Sequence, residues 1–195
     1  FMGSVADDTE RHNTFFGNLY SEFRFPLKGL TYRFNFGNNY RINEHFYSNE
    51  YSNYPSGQAY KNSSSYYDYT FDNIVNYLNS FGRHTIGATF VYGASRRKYS
   101  YTGAEAKNFA RLTLGYNSLE QGKEQYTTSD AWESSLLYQM LRVNYKYDNR
   151  YLVTATLRRD GFSGFAANHK TATFPSVALG WIASEEEFFN VPWVD

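Results

Sequence analysis

The chain has 195 residues, a formal net charge of zero and no cysteine, and aromatic residues make up 21% of it. A neutral chain has no electrostatic attraction to nucleic acid, and a chain without cysteine forms neither disulfides nor thiolate metal sites. Its 20 tyrosines and 17 phenylalanines favour interfacial aromatic belts and aromatic binding loops over an ordinary soluble core. No stretch approaches the ~20 consecutive apolar residues that a membrane-spanning helix requires.

The first part of the chain contains two predicted strands. Residues 1–13 are polar and are predicted to form a loop, and the first strand then extends to about Phe25. The segment from Pro26 to Gly29 is predicted to be a turn. In the second strand, period-two alternation places one set of side chains on each face. Its apolar face carries Leu30, Tyr32, Phe34 and Phe36, and its other face carries Thr31, Arg33, Asn35 and Gly37.

Residues 43–66 are rich in tyrosine, asparagine and serine and are predicted to form an external loop. Tyrosine supplies rigid contact area and the small polar residues supply adaptable hydrogen bonds, as in binding loops generally. The tyrosines of this pattern are Tyr47, Tyr51, Tyr54, Tyr60, Tyr66 and Tyr67, and the first four are the candidate binding residues. A solvated loop with interfacial tyrosines explains the composition equally well, and the composition does not distinguish a sugar from a partner protein as the ligand.

Two further strands are predicted at about 67–79 and 84–94, on either side of a short turn at Phe81 and Gly82. The fourth strand again alternates, and one face is therefore apolar. That face carries Ile86, Ala88, Phe90 and Tyr92.

Residues 95–133 are predicted to be a long insertion between the fourth and fifth strands. It contains the basic run 96–98 and a stretch, 104–114, that is predicted to form a short helix. Trp132, at the end of this insertion, is a further candidate for contact with a substrate or partner.

Three more alternating runs, at 141–145, 151–158 and 176–181, are predicted to be strands five to seven. Residues 146–150, between the first two runs, contain an Asp-Asn pair that suits a tight hairpin. A longer polar loop, which opens at 160–161, joins the last two runs.

Arg158 and Asp160 lie where the sixth strand meets this loop. Either residue could contact substrate. A charge network at the rim of the sheet is the favoured interpretation, because paired charges beside a loop are usually structural.

The predicted connections alternate in length, which indicates how the strands are arranged. Short turns at 26–29, 79–84 and 146–150 alternate with long connections at 43–66, 95–133 and 161–172. Short periplasmic turns and long extracellular loops are typical of outer-membrane barrels. The fold class predicted is therefore all-β, an antiparallel up-and-down segment of a transmembrane β-barrel with about seven strands.

Three motifs near the end of the chain resemble one family of membrane proteins. They read YLVTATLRRDG from Tyr151, TFPSVALGW from Thr173 and SEEEF from Ser184. Their order and spacing are similar to the barrel of SusC/RagA-type TonB-linked outer-membrane transporters. The resemblance implies a barrel of roughly 22 strands filled by a plug. Residues 1–195 are then expected to be a partial barrel domain, without the signal peptide, the plug and the C-terminal strands.

The same resemblance implies function and partners. SusC-like proteins of Bacteroidota import oligosaccharides or peptides across the outer membrane. They act with a SusD-like surface lipoprotein and draw energy through the TonB complex, which they contact through a region expected outside this chain. Outer-membrane lipid would surround the barrel, and no cofactor is implied.

Two other classes of protein remain open on the sequence. A passive pore or adhesin barrel would show the same strand pattern without a plug. An outer-membrane enzyme would need a cluster of catalytic groups at the loops, and none is recognised. The four histidines have no paired metal-ligand spacing, and Ser184 with Glu187 is predicted to be a helix capping box in preference to an acidic metal patch.

Overall fold

The computed structural model describes residues 6–50, 57–166, 170–186 and 188–189. In these residues the protein is all-β, with seven strands and three short 3-10 helices. The strands are β1 (Ala6–Arg24), β2 (Leu30–Asn49), β3 (Gln58–Phe81), β4 (His84–Phe109), β5 (Gly122–Tyr147), β6 (Tyr151–Phe162) and β7 (Thr171–Trp181). The 3-10 helices are Gly115–Asn117, Leu119–Gln121 and Ala183–Glu185. None of the helices in the described ranges is long and apolar enough to cross a membrane.

The strands form one sheet in which each strand lies beside its neighbours in the sequence, in the order β1 to β7. The registers of β5 with β6 and of β6 with β7 are antiparallel. The predicted up-and-down fold class and the predicted number of strands are thus confirmed. Short connections alternate with longer ones, as predicted: 25–29, 82–83 and 148–150 are short, and 50–57, 110–121 and 163–170 are longer.

Four of the strands are much longer than the sequence predicts. The long loops predicted between them are therefore too long, because much of each belongs to the adjoining strands. Residues 43–49 belong to β2 and residues 58–66 belong to β3. Most of the predicted insertion 95–133 lies in β4 and β5. These strand extensions carry polar side chains on both faces, so the alternation of apolar with polar residues is weak in them.

Three smaller predictions are also wrong. β1 begins at Ala6, inside the segment predicted to be a loop, and residues 104–109 are the end of β4 and not a helix. In both places pairing with a neighbouring strand outweighs local composition. Ser184 lies inside a 3-10 helix whose N-cap, Ile182, makes no side-chain capping bond, and Glu187 lies outside the described residues.

The described residues divide into two compact units. The first unit contains residues of 1–17, 38–69 and 96–134, and the second contains residues of 18–37, 70–95 and 135–195. β6 and β7 belong to the second unit, and the five preceding strands contribute residues to both.

The register of the second unit sorts side chains by polarity. Val153 lies opposite Tyr145 on one side and Leu179 on the other, and Ala155 lies opposite Val177. Directly opposed residues of neighbouring antiparallel strands share a face, so this face is apolar. Its side chains are exposed, and Val177 and Leu179 retain 72% and 79% of their accessible surface.

The opposite face of the same strands is polar and internally hydrogen-bonded. Thr154 Oγ1 donates to Asn144 Oδ1 at 2.9 Å, and Arg142 Nε donates to Thr156 Oγ1 at 3.2 Å. Both pairs are opposed in the register. The second unit therefore exposes large apolar side chains on one face while its polar groups bond to one another on the other face.

A small apolar cluster forms in the first unit. Ala59 and Ala106 are fully buried and Phe109 nearly so, and Leu112, Tyr116 and Leu119 pack against them. The connection from β4 to β5 therefore folds back onto the ends of β3 and β4.

The short turns hydrogen-bond to neighbouring hairpins. Asp148 and Asn149 have φ of 50° and 57°, which fits the tight hairpin that the Asp-Asn pair predicts, and Asp148 N donates to Arg83 O at 2.7 Å. In the first turn Gly29 has φ of 83°, and its carbonyl accepts from Leu78 N at 2.9 Å. A Cβ at Gly29 would lie 1.8 Å from Leu78 O.

Replacement of Gly29 by alanine is expected to destabilise the protein by more than the 1–3 kcal/mol, roughly, that a positive φ costs alone, because the new methyl also meets backbone. Gly37→Ala is the matched control, since no atom lies within 4 Å of a Cβ there. Urea unfolding of both variants in lipid vesicles measures the difference, and equal stabilities would contradict the account of the turn.

Candidate functional site

A row of aromatic rings crosses three strands of the first unit. The rings of Tyr66 and Tyr99 lie 4.7 Å apart, and those of Tyr99 and Trp132 lie 5.7 Å apart. The guanidinium carbon of Arg41 lies 6.0 Å from the centre of the Tyr66 ring. Each of the four residues comes from a different strand, from β2 to β5, so the spacing of the strands sets the spacing of the rings. We call Tyr66, Tyr99 and Trp132 the aromatic row.

A second aromatic contact joins two residues that the sequence analysis selected. The rings of Tyr47 and Tyr60 stack with centroids 5.0 Å apart and an interplanar angle of 17°. His45 meets the Tyr60 ring edge-on at 5.0 Å, and its Nε2 lies 2.7 Å from Asp8 Oδ1. Tyr47 and Tyr60 lie in strands and not in the loop predicted for them, whereas Tyr51 and Tyr54 lie outside the described residues.

A polar groove adjoins Tyr60 in the same unit. At Gly103, a Cβ would lie 2.6 Å from Tyr101 Oη, 2.7 Å from Asn62 Oδ1 and 2.8 Å from Thr128 Oγ1. The absence of a side chain therefore lets these three polar groups converge over the backbone. The groove is lined by these residues together with Gln58, Tyr60, Glu105 and Tyr126. It can offer hydrogen-bond donors and acceptors beside an aromatic ring.

Arg158 and Asp160 belong to a separate network in the second unit. Arg158 Nε donates to both carboxylate oxygens of Asp160, at 2.8 and 3.0 Å. Its guanidinium carbon lies 4.9 Å from the centre of the Tyr138 ring, and the Tyr138 hydroxyl donates to Asp72. These contacts link β3, β5 and β6, and a role of Arg158 or Asp160 in substrate contact stays a prediction.

Several residues of these groups were not selected from the sequence. His45 has no paired histidine spacing that would mark it in the sequence, and its place beside Asp8 depends on the pairing of β1 with β2. Tyr99 lies in the predicted insertion, although Tyr99 and Tyr101 repeat at a spacing of two, which is a strand signal.

The carboxylate of Glu186 links the segment that follows β7 to the start of β6. Glu186 accepts hydrogen bonds from Tyr151 Oη at 2.6 Å, from Trp181 Nε1 at 3.1 Å and from Arg150 Nη1 at 3.1 Å. The bonds from Tyr151 and then Trp181 favour the charged form and lower the pKa of Glu186. The 3-10 helix after β7 is thereby held against the start of β6.

No cluster of three or more histidine, aspartate or glutamate side chains in the described ranges is arranged to hold a metal ion. What the described residues do offer is aromatic ring faces with polar groups beside them. Such surfaces bind by stacking and hydrogen bonding.

The chain is similar in sequence to named receptors, although no family model matches it. It is 31% identical over 169 residues to TonB-dependent receptor P39 of Formosa agariphila, which covers 83% of this chain and 16% of that receptor. It is 29% identical over 199 residues to TonB-dependent receptor SusC of Bacteroides thetaiotaomicron, which covers 95% of this chain and 18% of SusC.

The fold is similar to that of the RagAB peptide transporter, with a TM-score of 0.80 at 22% identity, over 89% of this chain and 20% of that one. The chain thus spans about a fifth or less of the length of the proteins it matches. The sheet of the second unit has one apolar and one polar face. Together with these similarities, it identifies the chain as a segment of the β-barrel of a TonB-dependent receptor. The chain belongs to the family of TonB-dependent receptors, and the proteins that it matches are receptors and transporters and not enzymes.

The lowered pKa of Glu186 predicts a pH dependence. Because the carboxylate is favoured in the folded state, its stabilising contacts are fully present above the ordinary glutamate value of 4.5 and are lost as the pH falls through the lower folded-state value. The indole N–H resonance of Trp181 should therefore shift with a midpoint below 4.5.

Glu186→Gln should abolish this titration, whereas Glu185→Gln, next to it in the chain, should leave it in place. Measurement by NMR of the indole-labelled protein in detergent tests both variants. A midpoint at or above 4.5, or a titration that survives in Glu186→Gln, would contradict the assignment.

Proposed function

We propose that this chain is part of the barrel wall of an outer-membrane transporter that imports oligosaccharides or peptides. The observation that carries the proposal is the similarity to TonB-dependent receptors over 83–95% of the chain. The RagAB transporter, which is similar in fold, is named for peptides, and the motif resemblance adds oligosaccharides as the second class of solute.

The faces of the second unit support a place in the membrane. The exposed apolar face formed by β5, β6 and β7 would meet lipid, and the polar face would turn to the lumen. β6 and β7, with 12 and 11 residues, are long enough to supply the roughly 9–11 residues that a tilted strand needs to cross a bilayer. Tyr147, Tyr151 and Trp181, beside the short turns, would form the aromatic belt of the periplasmic boundary.

The rest of the barrel, the region that contacts TonB and the partner lipoprotein would be supplied from outside residues 1–195. Seven strands form about a third of a barrel of roughly 22 strands, and residues 1–195 are one part of that barrel domain. Energy would reach the solute through TonB, bound by another region of the receptor. A SusD-like lipoprotein would cover the extracellular side, to which the longer connections lead.

The solute would bind on the aromatic groups of the first unit. The aromatic row and the Tyr47–Tyr60 pair expose ring faces that can stack on the C–H face of a sugar or on a peptide side chain. The groove over Gly103 adds hydroxyl and amide groups that hydrogen-bond either solute. Tyr47, Tyr60 and Trp132 are the residues predicted from the sequence that take part.

A charge on the apolar face tests the membrane placement. Val177→Lys places an ammonium at the centre of β7 on the face proposed to meet lipid and should lower the free energy of unfolding by about 2–4 kcal/mol. Ser176→Lys, one residue away on the opposite face, is the matched control and should change it by much less. Urea unfolding from lipid vesicles measures both values, and equal losses would argue against lipid contact.

Removal of the middle ring of the aromatic row tests solute binding. Tyr99→Ala should lower affinity by about fivefold, since a ring contact contributes on the order of 1 kcal/mol. Tyr40→Ala, an exposed tyrosine of the same unit outside the row, is the control.

The full-length receptor, in detergent, would be titrated with fluorescent oligosaccharides and with fluorescent peptides. The class that binds wild-type protein and weakens only in Tyr99→Ala is the solute. Binding of neither class, or equal loss in both variants, would contradict the proposal.

A further inference from the structure

The groove over Gly103 lies on one face of the first unit, across β3, β4 and β5. Its lining residues occupy alternate positions of each strand, such as 101, 103 and 105 of β4, and alternate positions share a face. Tyr99 of the aromatic row lies on this same face, since it comes two positions before Tyr101. The groove and the aromatic row are therefore neighbouring parts of one surface.

Three oxygen atoms surround the place that a side chain of residue 103 would occupy. Tyr101 Oη, Asn62 Oδ1 and Thr128 Oγ1 would lie 2.6, 2.7 and 2.8 Å from a Cβ there. Each comes from a different strand, so the pairing of the strands fixes their positions. Gly103 does not have a positive φ. Glycine is thus required at this position for the space it leaves, which the three oxygens occupy.

The groove presents neutral groups that are available to a ligand. None of the three side chains makes a hydrogen bond to another residue in the part of the chain that the structure describes. The charged group of the groove, by contrast, is already paired. Glu105 accepts a hydrogen bond from Gln58, and its Oε1 lies 3.2 Å from Lys107 Nζ. A ligand therefore meets unpaired hydroxyl and amide oxygens and a carboxylate that is already bound.

A solute hydroxyl matches this set better than a peptide group does. The hydroxyls of Tyr101 and Thr128 both donate and accept, whereas Asn62 Oδ1 only accepts. One hydroxyl of a solute can donate to Asn62 while it accepts from a protein hydroxyl, but a peptide N–H only donates and a peptide carbonyl only accepts. An oligosaccharide carries hydroxyls along its whole length, and a peptide carries them only on serine, threonine and tyrosine side chains.

The aromatic rings near the groove suit the remaining surface of a sugar chain. Tyr60, whose ring stacks on that of Tyr47, lines the groove, and an aromatic face packs against apolar C–H groups. Tyr99 lies four positions before Gly103, about 13 Å away at the usual rise of a strand. A solute that touches both the groove and the aromatic row is therefore an extended chain of several units.

We propose that Gly103 opens a subsite that selects an oligosaccharide over a peptide, with the hydroxyls of one sugar ring bound by Asn62, Tyr101 and Thr128. The inference rests on the solute surface proposed above and decides between the two classes of solute named there. Gly103 is the position that determines specificity, because any larger residue would fill the subsite.

The test compares the two classes of solute directly. The full-length receptor in detergent is applied to an array that carries neutral oligosaccharides, from single sugars to hexasaccharides, and neutral peptides of matching lengths. Wild-type protein should bind oligosaccharides in preference to peptides, and longer oligosaccharides more tightly than single sugars. The dissociation constant of the oligosaccharide that binds best is then measured by calorimetry for each variant.

Two pairs of variants assign the binding to the subsite. Thr128→Val keeps the shape of the side chain, removes its hydroxyl and should weaken binding about fivefold, as the loss of one neutral hydrogen bond does. Thr127→Val makes the same change on the other face of β5 and should bind as wild type does. Gly103→Ala should weaken binding on the order of tenfold or more, because its methyl displaces all three oxygens. Gly87→Ala, in the same strand, is its control, since a Cβ there has no contact closer than 3.6 Å.

Equal affinities of Thr128→Val and Thr127→Val would overturn the inference, and this comparison holds even if Gly103→Ala does not fold. A receptor that binds peptides and no oligosaccharide would overturn the inference and leave the proposed transport function in place. A receptor that binds neither class would overturn the proposed function as well.

Discussion

Pairing between neighbouring strands is the constraint on which the rest of this structure depends. Since each strand hydrogen-bonds to the next one in the sequence, side chains at alternate positions are fixed to one face or the other over the whole length of the strand. The apolar face around Val153, the polar pairs such as Asn144 with Thr154, and the aromatic row all follow from that register. A shift of one residue would exchange the faces and disperse all three.

The sequence predicts the sheet well where its two faces differ in polarity. Phe34 and Val153 lie in stretches that alternate in polarity, and both stretches are strands in the structure. It fails where both faces are polar. Lys61 and its serine-rich neighbours show no apolar period, yet they form part of β3 because the strands on either side supply hydrogen-bond partners. Composition therefore underestimates strands that continue past the apolar region.

The candidate site was predicted only in part, for a related reason. Tyr47 and Tyr60 were selected from composition, but their ring contact depends on the register of β2 with β3, which no local pattern specifies. His45 joins them for the same reason. Trp132 was selected as a single residue, and its membership of a row with Tyr99 emerges only when β4 and β5 are paired.

The short turns do more than reverse the chain. Gly29 accepts a hydrogen bond from the end of β3, and Asp148 donates one to Arg83 in the adjacent turn. Successive hairpins are therefore fastened to one another where the chain turns, and an extra residue at any of these points would displace the stagger of two hairpins at once. At the opposite ends of the strands, Leu112 and Tyr116 pack on the apolar cluster around Phe109, so an insertion in that connection would have to leave this packing intact.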